Sequence, residues 1–135
     1  MRNILLAALA LSGALGGCTH QPARAGSDAA DSGDFPATGH TYRVDFGGGN
    51  AFDIDFASDR HMTFTKLQPP AQGQVETIRF DHRRIREGLY LVRWQEADKT
   101  TVVHLEDFAR GRVYTHITRP DGRFFTGESA LTRVH

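Results

Sequence analysis

The residues best suited to bind or transform a small molecule lie in the second half of the chain. We predict a ligand-binding set that consists of Trp94, Glu96, His104, Tyr114, His116 and Arg119. In such a set the indole would stack on a planar ligand, the carboxylate would orient it, and the imidazoles would exchange hydrogen bonds with it. The alternative interpretation is that Trp94 belongs to the core and that the histidines lie on the solvent face.

Which of these side chains meet depends on the register of one hairpin. Asp98-Lys99 fits a two-residue loop between two strand-like runs, although no glycine favours the usual turn types. That loop would pair Trp94 with Val103 and would place His104 on the opposite face of the sheet. A register shifted by one residue would instead bring His104 beside Trp94 and Glu96.

Catalysis and metal binding have less support in the sequence. His104 could form an acid–base pair with Asp107 or Glu96, but no nucleophile motif accompanies it. Zinc could bind His104 and His116 if neighbouring strands brought them together, but no third ligand follows at a defined spacing. We therefore predict no metal and no cofactor, and we favour a binding protein over an enzyme.

The elements that must position these residues are β-strands. From residue 40 onward, apolar residues alternate with polar ones, as in Tyr42-Arg43-Val44-Asp45-Phe46. Turn signals such as Pro120-Asp121-Gly122 separate the runs, and no segment has the period of an amphipathic helix. We predict an all-β fold, a small antiparallel up-and-down β-barrel of about eight strands. Such a barrel has room inside for side chains or for one small ligand.

The second half of this domain also resembles a known family. The motifs are Trp94-Gln95-Glu96-Ala97-Asp98, Val102-Val103-His104-Leu105-Glu106-Asp107-Phe108, Gly111, Val113-Tyr114-Thr115 and Ile117-Thr118-Arg119-Pro120-Asp121-Gly122. They are similar to the MoaF-like domain family, which is named for a protein associated with molybdenum cofactor biosynthesis. The first half fits the same layout more loosely. The resemblance implies a calycin-type barrel similar to that of lipocalins, and it implies no particular reaction.

The N-terminal residues predict export and lipid attachment. Arg2, an apolar stretch from Ile4 to Leu15 and a small-residue end form the pattern of a secretory signal. The apolar stretch is shorter than the roughly 20 residues that cross a bilayer. Leu15-Gly16-Gly17-Cys18 resembles the lipobox of bacterial lipoproteins, which implies acylation of the Cys18 thiol and cleavage before it. Cys18 is the only cysteine in the chain, and the alternative is an ordinary signal peptide with an incidental cysteine.

These features divide the chain into three predicted parts. Residues 1–17 are the signal peptide, residues 18–39 the lipidated cysteine and a flexible linker, and residues 40–135 the barrel domain. The linker is rich in Ala, Ser, Asp, Gly and Pro, a composition that buries too little apolar surface to order itself. Residue 19 is Thr, whereas in the enteric sorting rule an Asp there retains a lipoprotein in the inner membrane. Thr19 therefore implies the outer membrane, with the domain facing the periplasm.

The balanced charge of the chain and its predicted location limit the kinds of binding partner that we expect. The chain has 16 basic and 16 acidic residues and no basic stripe of the kind that binds nucleic acid. We expect it to contact the membrane through its lipid and to bind a small amphipathic or aromatic molecule in the barrel. An envelope location does not fit a cytoplasmic role in cofactor biosynthesis. The alternatives are a filled barrel whose surface docks an envelope protein, and a calycin-type enzyme resembling those that act on small phenolic acids.

Overall fold

A computed structural model describes residues 34–135, which form nine β-strands. The predicted signal peptide, Cys18 and most of the predicted linker lie outside the described residues. The strands are β1 (His40–Asp45), β2 (Ala51–Phe56), β3 (His61–Lys66), β4 (Val75–Arg86), β5 (Leu89–Gln95), β6 (Thr101–Asp107), β7 (Arg112–Thr118), β8 (Phe124–Ala130) and β9 (Thr132–Arg133).

Each strand from β1 to β7 pairs antiparallel with the next, so the sheet is an up-and-down meander. The first and last long strands meet, since the Asp45 amide donates a hydrogen bond of 2.8 Å to Ser129 Oγ. Gly127 permits this approach, because a Cβ there would lie 3.1 Å from Phe46 Cβ. The result is a nearly closed barrel, as predicted, with the short strand β9 added beside β1.

The alternation of apolar and polar residues along the strands explains which side chains point into the barrel and which point into solvent. In β2 and β3 the buried positions are Ile54, Phe56, Met62 and Phe64, and polar residues separate them. Because successive side chains of a strand point to opposite faces, this pattern places one face inside and the other in solvent. No helix in residues 34–135 is long and apolar enough to cross a membrane.

The two ends of the barrel differ in packing. The end that holds the β2–β3, β4–β5 and β6–β7 turns is filled by large buried side chains such as Phe56 and Phe80. At the other end, which holds the remaining hairpin turns, the inward-facing side chains are only half buried. We call the first the sealed end. We call the second the mouth, defined by the half-buried side chains Phe46, Phe52, Trp94, Ile117 and Phe125.

The segment before β1 closes the sealed end. Phe35 and Ala37, which the sequence analysis placed in the flexible linker, are buried in the core. The Phe35 ring stacks on His82 at a centroid distance of 4.6 Å and meets four other aromatic rings within 5.7 Å. The Gly39 amide donates a hydrogen bond of 2.7 Å to the Phe56 carbonyl. Packing of the domain therefore begins before residue 40.

The β5–β6 hairpin contains a three-residue turn in place of the predicted two-residue loop. The Glu96 amide donates to the Thr100 carbonyl at 2.8 Å, and the Lys99 amide donates to the Glu96 carbonyl at 3.0 Å. Residues 97–99 form the turn, and Lys99 has a φ of 77°. This left-handed conformation is the one that a three-residue hairpin loop requires at its last position.

The longer turn shifts the register by one residue. Trp94 pairs with Val102, and Val92 pairs with His104. Since side chains alternate with a period of two, this shift exchanges the two faces of β6 relative to the two-residue loop. His104 therefore lies on the same face as Trp94, inside the barrel. The placement of His104 on the opposite face, which the two-residue loop required, is wrong.

Candidate functional site

The centre of the candidate site is a buried histidine–glutamate pair on β6. His104 and Glu106 are two residues apart, so both point inward, with 2% and 0% exposure. His104 Nδ1 and Glu106 Oε1 share a hydrogen bond of 3.2 Å. Val102, His104 and Glu106 form a ladder from the mouth toward the sealed end. At about 3.3 Å per residue, the carboxylate lies roughly 7 Å deeper than the imidazole.

Aromatic rings surround the imidazole. Trp94 meets His104 edge to face at a centroid distance of 4.7 Å, and Phe46 does so at 5.7 Å. Both rings belong to the mouth: Trp94 lies on the neighbouring strand β5, and Phe46 directly follows β1, which the barrel closure brings near. The imidazole is thus held between two apolar rings at the top of the interior, which is the composition expected of a small-ligand pocket.

Polar atoms inside the barrel lack hydrogen-bond partners. Glu106 Oε2 and Thr115 Oγ1 are buried and have no partner; the buried Trp94 Nε1 lies near the Glu96 carboxylate, whose pKa it lowers, but does not meet it with good hydrogen-bond geometry. Thr115 lies directly across from His104 in the β6–β7 pairing, so these atoms belong to one wall of the interior. A buried polar group without a partner costs about 1–3 kcal/mol, and water or a ligand usually satisfies such groups. This wall therefore contains two buried oxygens without hydrogen-bond partners.

Glu106 also acts electrostatically across the interior. Burial raises the pKa of Tyr42, and the negative charge of Glu106 raises it further, whereas Arg133 opposes the shift. Burial is the main cause that lowers the pKa of His82, and Glu106 opposes that shift. The carboxylate thus lies within electrostatic reach of residues on β1 and β4, near the middle of the barrel.

The rim of the mouth carries charge of both signs. Lys66, Glu76 and Glu96 occupy inward-facing, half-buried positions there. Burial, followed by the charges of Glu76 and Asp98, raises the pKa of Glu96, and Lys66 opposes the rise. Glu76 Oε1 accepts a hydrogen bond of 2.7 Å from the Ala97 amide, which attaches the β5–β6 turn to β4.

The predicted site residues divide into two groups. Trp94, Glu96 and His104 line the mouth and the interior together. Tyr114 and His116 point outward, because they alternate along β7 with the buried Val113 and Thr115. The shared face predicted for Tyr114 and His116 is therefore the outer one, which does not face the pocket.

Arg119 lies at the rim and faces solvent. It belongs to the β7–β8 turn at the mouth end and is exposed. Hydrogen bonds from Thr100 are the main cause of the lowered pKa of Asp98, and the charges of Lys66 and Arg119 add to it. Arg119 is thus close to the β5–β6 turn and does not reach the buried pair.

The sequence analysis missed Glu106 and Thr115 as site residues. Their signal was present in part, since Glu106 stands two residues after His104 in a strand and must share its face. The pair of His104 and Glu106 was not recognised, because the predicted two-residue loop placed this face of β6 on the outside of the barrel.

The arrangement favours binding over covalent chemistry. A buried His–Glu pair has the geometry of an acid–base couple. However, Thr115 Oγ1 has no hydrogen bond to His104, so it is not activated as the nucleophile of a triad would be. Within residues 34–135, no group of three or more His, Cys, Asp and Glu side chains could hold a metal ion. His104 and His116 point to opposite sides of the barrel wall, which separates the two proposed zinc ligands.

One concave feature lies on the outer surface of the barrel. A groove of about 430 Å³ runs across the outer face of β4, β5 and β6. Its walls include Arg79, Arg93 and Gln95, together with Thr101 and Val103. The sheet separates this groove from the interior of the barrel.

Three comparisons with known proteins bear on this site. The family model described as MoaF-like matches residues 38–132. A crystal structure from Burkholderia vietnamiensis, described as a "putative beta-lactamase", is similar over 76% of this chain and 100% of that chain, with 28% identity and a TM-score of 0.69. No curated protein matches the sequence. The present chain contains no Ser-x-x-Lys motif, the signature of serine β-lactamases.

Proposed function

This chain belongs to the MoaF-like family, and on that premise we propose that it is a lipid-anchored envelope protein whose barrel binds a small, partly aromatic molecule through the mouth. The observation that carries the proposal is the set of buried polar atoms without partners next to aromatic rings, above all Glu106 Oε2. A barrel filled only for stability would be expected to avoid such atoms, because each one costs stability.

The aromatic lining of the mouth supports the same proposal. Trp94, Phe46 and Phe125 are half buried and border the entrance to the interior. Rings at such a place bind planar apolar groups, and the polar atoms deeper in the pocket fix the orientation of the ligand. The sealed end closes the pocket from below, so one entrance serves both binding and release.

The single tryptophan makes the proposal testable without a label. Trp94 is the only tryptophan of the chain, so every change in tryptophan fluorescence reports on the mouth. A screen of small aromatic and amphipathic molecules should yield ligands that change this fluorescence and raise the melting temperature. A ligand present at 100 times its Kd stabilises the fold by about 2.7 kcal/mol.

Matched variants separate binding inside from binding outside. Thr115→Val removes an unpartnered hydroxyl from the interior and keeps the shape, whereas Tyr114→Phe removes a hydroxyl from the outer face. We expect the first to weaken ligand binding and the second to leave it unchanged. If no compound in a broad screen alters both fluorescence and melting temperature, or if Tyr114→Phe weakens binding as much as Thr115→Val, the pocket proposal is refuted.

The anchoring part of the proposal rests on the sequence before the described residues. We infer that Cys18 carries the lipid and that Thr19 directs the protein to the outer membrane, with the barrel in the periplasm. Cys18→Ser should abolish incorporation of labelled fatty acid and release the protein from the membrane fraction. A Cys18→Ser protein that still incorporates the label would overturn this assignment.

A second candidate function has one supporting observation. Phe124 is 64% exposed and Tyr114 is 40% exposed on the outer face. The His116 ring stacks on Phe124 at a centroid distance of 5.9 Å. Exposed rings of this kind mark interaction surfaces, which favours docking of an envelope protein on β7 and β8. Phe124→Ser should then reduce crosslinking to that partner in cells, and unchanged crosslinking would contradict docking at this face.

A further inference from the structure

We propose that the molecule bound in the barrel is an organic cation, an aromatic amine-type compound whose N–H donor pairs with Glu106. This inference rests on the proposed function and specifies the chemistry of its ligand. Its starting point is the state of the Glu106 carboxylate, which is fully buried, has one oxygen hydrogen-bonded to His104, and leaves the other without a partner.

The other buried carboxylate of the described residues shows how such a group is normally satisfied. Asp107 is 4% exposed, and its Oδ2 accepts a hydrogen bond of 2.8 Å from Arg86. Arg110 lies 3.5 Å from the same oxygen. Glu106, the residue before Asp107 in β6, points into the barrel and has no arginine or lysine among its partners. An ionised carboxylate only accepts hydrogen bonds, so its free oxygen fits a donor that the chain does not provide.

The charges around the interior favour a cationic amine over a neutral hydrogen-bond donor as the ligand. Inward-facing positions along the interior and mouth carry three carboxylates, Glu76, Glu96 and Glu106, against one ammonium, that of Lys66, and the imidazole of His104, which pairs with Glu106. Arg93, Arg119 and Arg133 are exposed, and Arg133 acts electrostatically on Tyr42. The interior therefore has an excess of negative charge, although the whole chain is neutral, and such a field attracts cations and repels anions.

The aromatic rings above the carboxylate fit the rest of this ligand. Trp94 and Phe46 border the space above His104, roughly 7 Å nearer the mouth than Glu106. A ring placed there and an amine placed at Glu106 require a short flexible arm between them. Aromatic faces also stabilise a nearby cation by about 0.5–2 kcal/mol, and a hydrogen bond between an ammonium and a carboxylate is roughly twice as strong as a neutral one.

Three probes of equal shape and different charge test the inference. They are 2-phenylethylamine, 2-phenylethanol and phenylacetate, which present a cation, a neutral donor and an anion on the same ring. Binding to the purified chain is followed through Trp94, by fluorescence and by the indole N–H signal in a ¹⁵N-labelled sample. We expect the amine to bind at least tenfold more tightly than the alcohol, and the anion to bind more weakly than both.

Substitution of the carboxylate identifies its part in this preference. Glu106→Gln keeps the shape and removes the charge, so it should reduce the amine's affinity to that of the alcohol and leave the alcohol's affinity within twofold. Glu128→Gln, on the exposed outer face of β8 opposite Tyr114, is the matched control and should retain the preference. Since the wild-type ratios need no variant, the inference remains testable if Glu106→Gln fails to fold.

The outcomes distinguish this inference from the proposed function. If the alcohol or the anion binds as tightly as the amine, the cation assignment is overturned while ligand binding by the barrel stands. The same holds if Glu106→Gln folds and retains the preference. If the amine gives no Trp94 response while compounds from the broad screen do, the cation assignment is again overturned. The proposed function itself fails if the broad screen yields no ligand, or if Tyr114→Phe weakens binding as much as Thr115→Val.

Discussion

Replacement of Phe35 by alanine should be the most destabilising single change in the segment before β1. The ring is 2% exposed and meets the rings of Phe56, Phe80, His82, Tyr90 and Phe108. Removal of a buried phenylalanine side chain costs about 3–5 kcal/mol, because transfer energy is lost and a cavity remains. A domain of this size is stable by only about 5–15 kcal/mol.

The assay for this prediction is urea unfolding, monitored by the fluorescence of Trp94. Phe35→Ala should lower the free energy of unfolding by about 3–5 kcal/mol and the melting temperature by at least roughly 10 °C. Phe124→Ala is the matched control, since the same atoms are removed from a side chain that is 64% exposed. We expect that variant to stay within about 0.5 kcal/mol of the wild type.

A small effect of Phe35→Ala would refute the reasoning. If it costs less than about 1 kcal/mol, or no more than Phe124→Ala, the segment before β1 is not part of the cooperative core. An unchanged slope of free energy against urea is also expected, because the surface exposed on unfolding should stay nearly the same.

Three further predictions concern charge and backbone strain. Burial, and then the charge of Glu76, raises the pKa of Glu96, so the ionised form costs stability as pH rises through the shifted value. Glu96→Gln should therefore raise the melting temperature at pH 7 and change it little below about pH 4; an equal gain at both pH values would contradict this. Burial, with Arg60 adding to it, lowers the pKa of His82, so stability should fall as pH drops below about 6.5. His82→Phe should flatten that fall in a thermal melt series, and an unchanged slope would assign the pH dependence to other groups. Lys99 has a φ of 77°, which costs a non-glycine residue about 1 kcal/mol; Lys99→Gly should recover that amount in urea unfolding, and a loss of stability would argue against strain at this turn.

The barrel could be predicted from the sequence because its cause is local. Apolar residues at alternate positions, as in Phe52, Ile54 and Phe56, can bury one face only as a strand. Short turns between such runs leave each strand beside the next, and this is the topology that forms. The added strand β9 has two residues and no apolar pattern, so nothing in the sequence marks it.

The site depends on details that the sequence marks poorly. The register of β5 against β6 follows from the left-handed conformation of Lys99, a position where a glycine would have signalled the three-residue turn. Without a glycine there, the sequence did not decide between two registers, which place His104 on opposite faces of the sheet. Phe35 lies in a stretch with the composition of a linker, and only contacts with distant strands make it part of the core.

The position of Phe35 has a consequence for how the barrel is presented. Asp34 precedes Phe35 and therefore lies at the sealed end, the pole of the barrel opposite to the mouth. Strands of about seven residues are roughly 23 Å long, so that pole and the entrance are separated by nearly the full height of the barrel. An attachment at the N-terminal side, whether an acyl group in a bilayer or a tag on a sensor chip, would therefore join the barrel at the end that does not hold the mouth. Immobilisation through the N-terminus should therefore preserve access for small molecules, whereas a bulky group fused into the β7–β8 turn should obstruct it.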